Sequence, residues 1–386
     1  MRPTLRAELA RLIAGQVCLH ACMTGLRMAA PLMALRSGHS PLAVGALLAL
    51  FALAQVFLAL PAGRFADRHG LKKPLKHAVQ LATLGAALAV AWPVFGVLCV
   101  SALVCGAATG LAMIALQRHV GLLASDATQL KQVFSWMAIG PSLSNFIGPF
   151  LAGLLIDAHG FRAAYLLLAL LPSLAWLAVR GATEHEPRAQ THSEPSGSSW
   201  NLLRQPGFRR LMLVNWLLSS CWDVHTFMVP VIGHERGLSA TAIGAILGSF
   251  ALAATAIRVL MPWLASRLRE PVVIGSAMVC TAALFGLYPL AQTAWAMASL
   301  SVLLGLALGS VQPMIMSSLH QITPAHRHGE ALALRAMAIN ASSVLMPILF
   351  GSLGALVGVG AVFWVVGGVV GLGSRLMWIS PPTRAG

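Results

Sequence analysis

The sequence predicts an all-α membrane protein built from two pseudo-symmetric bundles, each of six transmembrane helices. Of the 386 residues, 58% are hydrophobic and only 10% are charged, whereas a soluble domain carries about 25% charged residues. A membrane-spanning helix needs about 20 apolar residues, so the chain has room for about twelve of them plus short loops and one longer linker. An internal repeat and an alternation of basic loops support this fold.

Twelve apolar segments have the length of transmembrane helices. A polar run of Ser, Pro and Gly separates the first six from the last six and predicts a flexible linker. The predicted domains are therefore an N-terminal bundle over 1–180, a linker over 181–208 and a C-terminal bundle over 209–386. The predicted spans are 11–35, 41–62, 74–92, 96–117, 133–156, 162–180, 209–232, 240–264, 271–290, 295–317, 330–353 and 358–379.

The two halves repeat each other at an offset of 199 residues, which falls to 198 near the end of each half. The repeated positions are Pro and Gly residues and four polar positions of the first and seventh spans, which chance matches between Ala-rich helices would not reproduce. Six spans per half give both copies the same orientation, as in transporters whose site lies between parallel repeats. Matching pairs include Pro31 with Pro230, Gly106 with Gly305, Gly110 with Gly309, and Pro149 with Pro347.

Basic residues alternate between the loops and predict the topology. They cluster near the N-terminus, between residues 64 and 76, in the linker and near the C-terminus, whereas the intervening loops contain only Arg36, Arg162 and Arg236. Because Lys and Arg accumulate in cytoplasmic loops, this pattern places both termini and the linker in the cytoplasm of a cell (inner) membrane protein. The net charge of +15 therefore reflects topology, and no nucleic-acid partner is expected.

The loop after the second span carries the sequence Gly63-Arg-Phe-Ala-Asp67-Arg68-His-Gly70-Leu-Lys72-Lys73. It resembles the signature loop of the major facilitator superfamily, with Leu71 in place of an Arg. The resemblance extends over essentially the whole chain and implies two six-helix bundles around a central cavity. It also implies a cytoplasmic gate in which Asp67 docks at the start of the eleventh helix, near Gly329 and Glu330. The alternative is a basic loop that only anchors to lipid headgroups.

The fifth span contains Gly148-Pro149 followed by Ala152-Gly153. It resembles the antiporter motif of the same family, which favours export, although a tight helix contact without directional meaning explains the residues equally well. Antiporters of the family usually carry an Arg in the fourth span, and Ala102 stands at that position. The transport direction is therefore only weakly predicted.

Two polar stripes at matching depth predict a water-filled substrate cavity. They occupy one helical face of the first and the seventh span, at spacings of i, i+4, i+8 and i+11. A carboxylate at membrane depth costs at least a few kcal/mol, so Asp223 is predicted to face this cavity and to be the proton-coupling group. Arg27 is predicted as its counter-ion or as a contact for a negatively charged substrate group, with a permanent structural ion pair as the alternative. The predicted cavity residues are Gln16, His20, Thr24, Arg27, Asn145, Asn215, Ser219, Asp223, Thr226 and Asn340.

Three other polar residues of the spans have simpler expected roles. Arg258 and Arg335 are expected toward the cytoplasmic third of their helices, where they could reach the interface or pair with helix-end carbonyls. His225 lies off the Asp223 stripe and is expected to be a structural hydrogen-bonding residue. The six cysteines all lie in apolar spans at spacings that indicate neither disulfides nor a metal site.

These features together predict a secondary active transporter that moves a small molecule by alternating access. Proton coupling and export are favoured; the alternative is a proton symporter or facilitator for uptake of a small organic anion. A membrane enzyme or sensor is the competing class, but no convergent nucleophile, base and metal ligands occur, and saturable counterflow would separate a carrier from a channel. No cofactor or metal is expected, and the predicted partners are the substrate, protons and the lipid bilayer, with the protein as a monomer.

Overall fold

The computed structural model describes residues 3–123, 133, 136–137, 139–184, 199–264, 269–323 and 328–378. This part of the chain is helical, contains no strand and includes twelve helices of at least 15 residues. They are α1 (Pro3–Arg36), α2 (Pro41–His69), α3 (Lys72–Ala91), α4 (Phe95–Leu123), α5 (Ile139–His159), α6 (Phe161–Val179), α7 (Pro206–Glu235), α8 (Ala240–Leu264), α9 (Glu270–Leu287), α10 (Ala294–Ile322), α11 (His328–Val357) and α12 (Val359–Gly373), followed by the short α13 (Arg375–Trp378).

Ten segments of the described chain are long and apolar enough to cross a membrane, in α1, α2, α4–α6 and α8–α12. The other two long helices are α3, which begins with Lys72 and Lys73, and α7, which contains Asp223. Several helices extend beyond the predicted apolar spans; α2, for example, continues to His69. Backbone hydrogen bonding continues after the apolar residues end, so hydropathy alone underestimates helix length.

The residues that start and end the helices recur in both halves. Ser40 accepts a hydrogen bond from the Ala43 amide at the start of α2 (3.3 Å), and Ser239 accepts one from the Ala242 amide at the start of α8 (3.1 Å). Both are N-caps, which satisfy an amide that the helix itself leaves without a partner. Among the described residues, the positive-φ glycines include the repeat pairs Gly38 with Gly237 and Gly160 with Gly358.

Close glycine contacts are repeated at the same offset. Gly106 of α4 lies against the Phe51 carbonyl of α2, and Gly305 of α10 lies against the Phe250 carbonyl of α8. A Cβ atom at either glycine would overlap that carbonyl, so both positions require the smallest residue. The matched contacts indicate that the internal repeat of the sequence is also a repeat of helix packing.

The described helices form two compact units. One comprises Met1–Ala189 with Gly233–Gly248, and the other comprises Gln190–Ile232 with Ser249–Gly386. In the first unit α3 packs against α4 and α6, and in the second α9 packs against α10 and α12, which is the equivalent arrangement. The start of α8 belongs to the first unit, where it packs on α5. The predicted 1–180, 181–208 and 209–386 domains describe the sequence repeat and stay a prediction.

The outer surface of α6 is typical of a helix in contact with lipid. Leu166, Leu170, Leu174 and Leu177 each expose at least half of their side-chain area. Their spacing places them on one face of the helix. A continuous exposed apolar stripe of this kind is stable against lipid tails rather than against water.

Candidate functional site

The α7 stripe is formed in the structure around the carboxylate of Asp223. Asn215 and Asp223 are buried, while Ser219 and Thr226 are partly exposed on the same face. The Ser342 hydroxyl of α11 donates to Asp223 Oδ2 at 3.0 Å, and the Ser343 hydroxyl lies 3.5 Å from Oδ1. A hydrogen bond to a charged group contributes about 1.5–3 kcal/mol, so these hydroxyls offset part of the cost of burying the carboxylate.

Two arginines contact side chains of α7 near this stripe. Arg335 of α11 donates from Nε to the Asn215 side-chain oxygen at 3.0 Å. The Arg258 guanidinium of α8 lies 5.4 Å from the centre of the Trp222 ring, within the range of a cation–π interaction. Both arginines therefore have side-chain partners on α7 rather than the helix-end carbonyls that the sequence analysis considered.

His225 is held within a buried aromatic cluster. Its Nε2 lies 2.9 Å from the Ser301 hydroxyl, which is also 2.9 Å from the Tyr288 hydroxyl. Its ring stacks on Phe250 with centroids 4.2 Å apart. These contacts agree with the structural hydrogen-bonding role expected for this residue.

The α1 stripe lies in the first unit, and two of its four side chains bond to neighbouring helices. Thr24 donates to the Ser144 carbonyl of α5 at 2.8 Å, and Gln16 Nε2 lies 3.3 Å from the Met113 sulfur of α4. His20 and Arg27 are partly exposed. These bonds hold α1 against α4 and α5, so the assignment of Gln16 and Thr24 to the cavity stays a prediction.

Asn145 of α5 and Asn340 of α11 are both half-buried. Asn145 follows Ser144, whose hydroxyl donates to the carbonyl of Gly140 at 2.7 Å. Asn340 lies two residues before Ser342, which bonds to Asp223. Asn145 therefore lies near the Ser144–Gly140 hydrogen bond of the first unit. Asn340 lies near the Ser342–Asp223 hydrogen bond of the second unit.

The loop between α2 and α3 is fixed by an acidic residue that the sequence analysis did not identify. Glu184 Oε1, just after α6, accepts hydrogen bonds from the Leu71 amide at 2.8 Å and the Lys72 amide at 3.1 Å. Gly70 has a φ of 71° and ends α2, while Arg68 is exposed. Gly329 and Glu330 lie in the first turn of α11, and the side chains of Asp67 and Glu330 are not among those that the structure describes. Gly63 and Lys73 complete the motif, at the end of α2 and the start of α3.

The glycines of α5 mediate close contacts on two sides. Gly148 lies against Thr24 and the Ala21 carbonyl of α1, and Gly153 lies against the Ala240 carbonyl at the start of α8. Gly244 of α8 in turn lies against the Pro149 carbonyl. The predicted motif of Gly148, Pro149 and Gly153 is therefore the surface on which α5 meets both α1 and the first turns of α8.

One turn after this motif, Asp157 binds the N-terminus of α8. Its two carboxylate oxygens accept hydrogen bonds from the Ala240 amide at 3.0 Å and the Thr241 amide at 2.6 Å. The first four amides of a helix lack intrahelical partners, and Ser239 already caps the third. Asp157 therefore completes the capping of α8 from another helix, where the helix dipole also favours a negative charge.

The described residues contain no group of three or more His, Cys, Asp or Glu side chains that could hold a metal ion. The groups described around Asp223 are the Ser342 and Ser343 hydroxyls, and Arg335 bonds to Asn215 on the same helix.

Comparison with known proteins agrees with this fold. The sequence matches the Major Facilitator Superfamily model over residues 12–268 and 211–386. The chain belongs to that superfamily of secondary transporters and is a multi-pass membrane protein. No curated protein matches the sequence significantly.

Solved structures of three transporters share the fold at low sequence identity. A bacterial homologue of the human lysosomal transporter Spinster, inward-facing and occupied, has a TM-score of 0.79 at 11% identity over 98% of this chain and 97% of its own. A POT family transporter in complex with a thioalcohol-conjugated peptide has a TM-score of 0.77 at 14% identity, covering 96% and 95%. The nucleoside transporter NupG has a TM-score of 0.75 at 14% identity, covering 97% and 99%.

Proposed function

We propose that this protein is a proton-coupled secondary transporter that exports a small molecule across the cell (inner) membrane by alternating access. The observation that supports the proposal most directly is the buried Asp223 carboxylate with the Ser342 hydroxyl bound to it. An ionisable residue inside a transmembrane helix is costly and is therefore retained for a function. Both termini and the linker lie in the cytoplasm in this proposal, and the protein works as a monomer.

Protonation of Asp223 changes how firmly α7 is tied to α11. A hydrogen bond to a charged carboxylate contributes about 1.5–3 kcal/mol, whereas one between neutral groups contributes about 0.5–1.5 kcal/mol. Binding of a proton therefore weakens the link from Asp223 to Ser342 by about 1 kcal/mol. In the proposed cycle this loosening allows α11 to shift relative to α7, so that proton binding biases the conformational equilibrium.

Arg27 provides the second part of the coupling proposal. It lies on α1 at the repeat position of Thr226, one helical turn from the repeat position of Asp223. An arginine close to a carboxylate stabilises its ionised form. We assign Arg27 as the counter-ion of Asp223 in one state of the cycle, or as a contact for a negatively charged group of the substrate.

Two carboxylates at helix ends provide the proposed gates. On the predicted external side, Asp157 binds the start of α8 through two amides. On the cytoplasmic side, Asp67 is proposed to bind the start of α11, and Lys72 and Lys73 to lie at the headgroups. Each interaction of a carboxylate with a helix dipole contributes about 0.3–1 kcal/mol, small enough to be broken once per cycle.

A second candidate function is uptake of a small organic anion by proton symport or facilitated diffusion. It is favoured by Arg258 and Arg335, which add positive charge to the membrane-embedded part of the second unit. Export is favoured by the sequence of the α5 glycine motif, which resembles the antiporter signature of the family. Measuring which pH gradient, inside acidic or inside alkaline, drives accumulation separates the two candidates.

The experiment that tests the proposal compares Asp223→Asn with wild type in proteoliposomes. A substrate is first identified by thermal-shift screening of the purified protein against metabolites and drugs. If Asp223 couples protons, Asp223→Asn still exchanges substrate at equal concentrations on both sides but no longer responds to a pH gradient. The matched control is Glu270→Gln, another hydrogen-bonded carboxylate of the second unit, which keeps the pH response.

A purely structural role for Asp223 gives a different pattern. Asp223→Asn then expresses poorly, neutralising Arg27 as well restores expression, and the double variant still follows the pH gradient. That result would contradict the assignment of Asp223 as the coupling group.

A further inference from the structure

Arg258 lies on a buried face of α8, although a lone arginine in a membrane is expected to face the lipid headgroups. Ala251 and Ala254 share its side of the helix and are both buried, at 4% and 1% exposure. Leu260 lies on the opposite side of the helix and Val259 beside it, and they are exposed at 42% and 54%. The Arg258 side chain therefore points into the protein and away from the lipid-facing side of its helix.

Arg335 also lies on the buried face of its helix, α11. It lies on the helical face of Ser342 and Met346, which are both buried, at 0% and 4% exposure. Met337 and Leu345, at 55% and 52% exposure, mark the outward face of the same helix. The two arginines therefore enter the second unit from two different helices and meet α7 at Trp222 and Asn215.

Hydrogen-bond donors exceed acceptors where the arginines meet α7. Arg258 Nε and the Asn215 side-chain nitrogen Nδ2 are both buried, and neither has an acceptor in the described part of the protein. Buried donors almost always have partners, so these two, whose α7 positions Asn215 and Trp222 lie two helical turns apart on one face, require an explanation. An oxyanion supplies several acceptor lone pairs for donors of this kind.

The charges of Arg258 and Arg335 also favour a bound anion. Arg258 and Arg335 both contact the same face of α7, since Trp222 and Asn215 are seven residues apart. Neither guanidinium contacts a carboxylate among the described residues, since their contacts are with Asn215 and Trp222. Two partly buried guanidinium charges without a carboxylate partner are stabilised by a bound anion.

We propose that Arg258, Arg335, Asn215 and Trp222 bind the carboxylate or phosphate group of the transported solute, which makes that solute an organic anion. This inference rests on the proposed transport function and adds the substrate class. Guanidinium groups bind carboxylates and phosphates through paired N–H donors. The Trp222 ring covers one side of Arg258 and offers an apolar surface to the rest of the solute.

A lipid headgroup carries the same phosphate chemistry and is the other possible source of the anion. The orientation of Arg258 favours a solute, because the guanidinium lies on the buried face of α8 and lipid approaches the opposite face. Bilayer composition separates the two sources, since a headgroup would compete with a soluble anion only in membranes that contain anionic lipid.

The test measures anion binding to the full-length protein in nanodiscs of neutral lipid, without any transport step. The probes are benzoate and inorganic phosphate, and benzamide serves as the neutral analogue of benzoate. We expect at least one anion to raise Tm, benzamide to leave it unchanged, and Arg335→Gln and Arg258→Gln each to weaken anion binding about 10- to 100-fold, as for the loss of a charged hydrogen bond. Arg162→Gln, which removes an exposed arginine of the first unit, is expected to bind as wild type does.

The inference is overturned if neither anion raises Tm, or if the rise persists in the double variant of Arg258 and Arg335. It is also overturned if the anion effect in neutral nanodiscs is abolished by adding phosphatidylglycerol, because the site would then bind headgroups. Anion binding that survives in Asp223→Asn, together with an absence of pH-driven transport in wild type, would refute the proposed proton coupling and leave the anion site standing. Proton-driven transport without anion binding would refute the anion site and leave the proposed proton coupling standing.

Discussion

Replacing Asp157 by alanine tests whether α5 caps α8 from outside the helix. The side chain accepts hydrogen bonds from the first two amides of α8, while Ser239 accepts one from the third. Loss of a capping side chain costs about 0.5–2 kcal/mol, which corresponds to about a 2- to 30-fold change in an equilibrium constant. Because Asp157 is exposed, salt screens its charge, and the hydrogen bonds make the larger contribution.

Hydrogen–deuterium exchange of the purified protein measures this effect at the amides themselves. We expect Asp157→Ala to speed exchange in peptides from the start of α8 by about 2- to 30-fold, and to speed exchange at the end of α5 as well. Ser239→Ala should speed exchange mainly at the start of α8, because Ser239 caps the third amide of that helix. His159→Ala removes an exposed neighbour on the same turn as Asp157 and should leave both peptides unchanged.

The reasoning would be refuted by unchanged exchange in Asp157→Ala, or by an equal change in His159→Ala. If Asp157 also acts as an external gate, the variant should transport at an altered rate with wild-type expression. Unaltered transport with faster exchange would show that the cap is structural only.

Three further predictions follow from contacts in each unit and from the charge pattern. Ser342→Ala removes the 3.0 Å hydrogen bond to Asp223, so we expect the rate of pH-driven transport to change by about 10-fold, as for the loss of a charged hydrogen bond. Ser352→Ala, at a partly exposed position of the same helix, should not change it. Glu184→Gln weakens the capping of α3 and is expected to lower Tm and increase trypsin cleavage after Lys72; unchanged cleavage would contradict the capping role. Reporter fusions at Gly197 and at the C-terminus are expected to report a cytoplasmic location, and an external signal at either site would overturn the twelve-span topology.

The fold could be predicted from the sequence because membrane proteins are constrained by composition and periodicity. The lipid requires long apolar helices, and the duplication doubles each signal, so that Gly106 and Gly305 indicate the same close contact independently. The helix ends were less predictable. Hydropathy records where the apolar residues stop, whereas α2 continues through a charged segment to His69 because its backbone hydrogen bonds continue.

The polar contacts of the site could be predicted only in part. Asp223 is evident because it is an acidic residue deep in an apolar span. Asp157 and Glu184 are not, since each lies at the end of an apolar segment, where an acidic residue is ordinary. Their roles depend on which helix N-terminus lies nearby, and that proximity arises from tertiary packing. The internal repeat does distinguish Asp157, because Ala355 stands at its repeat position 198 residues later. The capping contact therefore occurs in one half only.

The arginine pair shows the same limit. Arg258 and Arg335 lie 77 positions apart in the sequence, and no sequence pattern indicates that they act together. A single arginine in a membrane helix is compatible with reaching the interface. Only the orientation of α8 and α11 toward α7 shows that both side chains are turned inward.

The most direct test of the account is whether protons move with the substrate through Asp223. Proteoliposomes containing a pH-sensitive dye and the purified protein are prepared without a pH gradient, and an outward gradient of the identified substrate is then imposed. The account predicts that the lumen acidifies as substrate leaves in exchange for protons, that the signal disappears in Asp223→Asn, and that counterflow of substrate persists in that variant. Substrate flux with no change in luminal pH in the wild-type protein, or an equal pH change in Asp223→Asn, would contradict it.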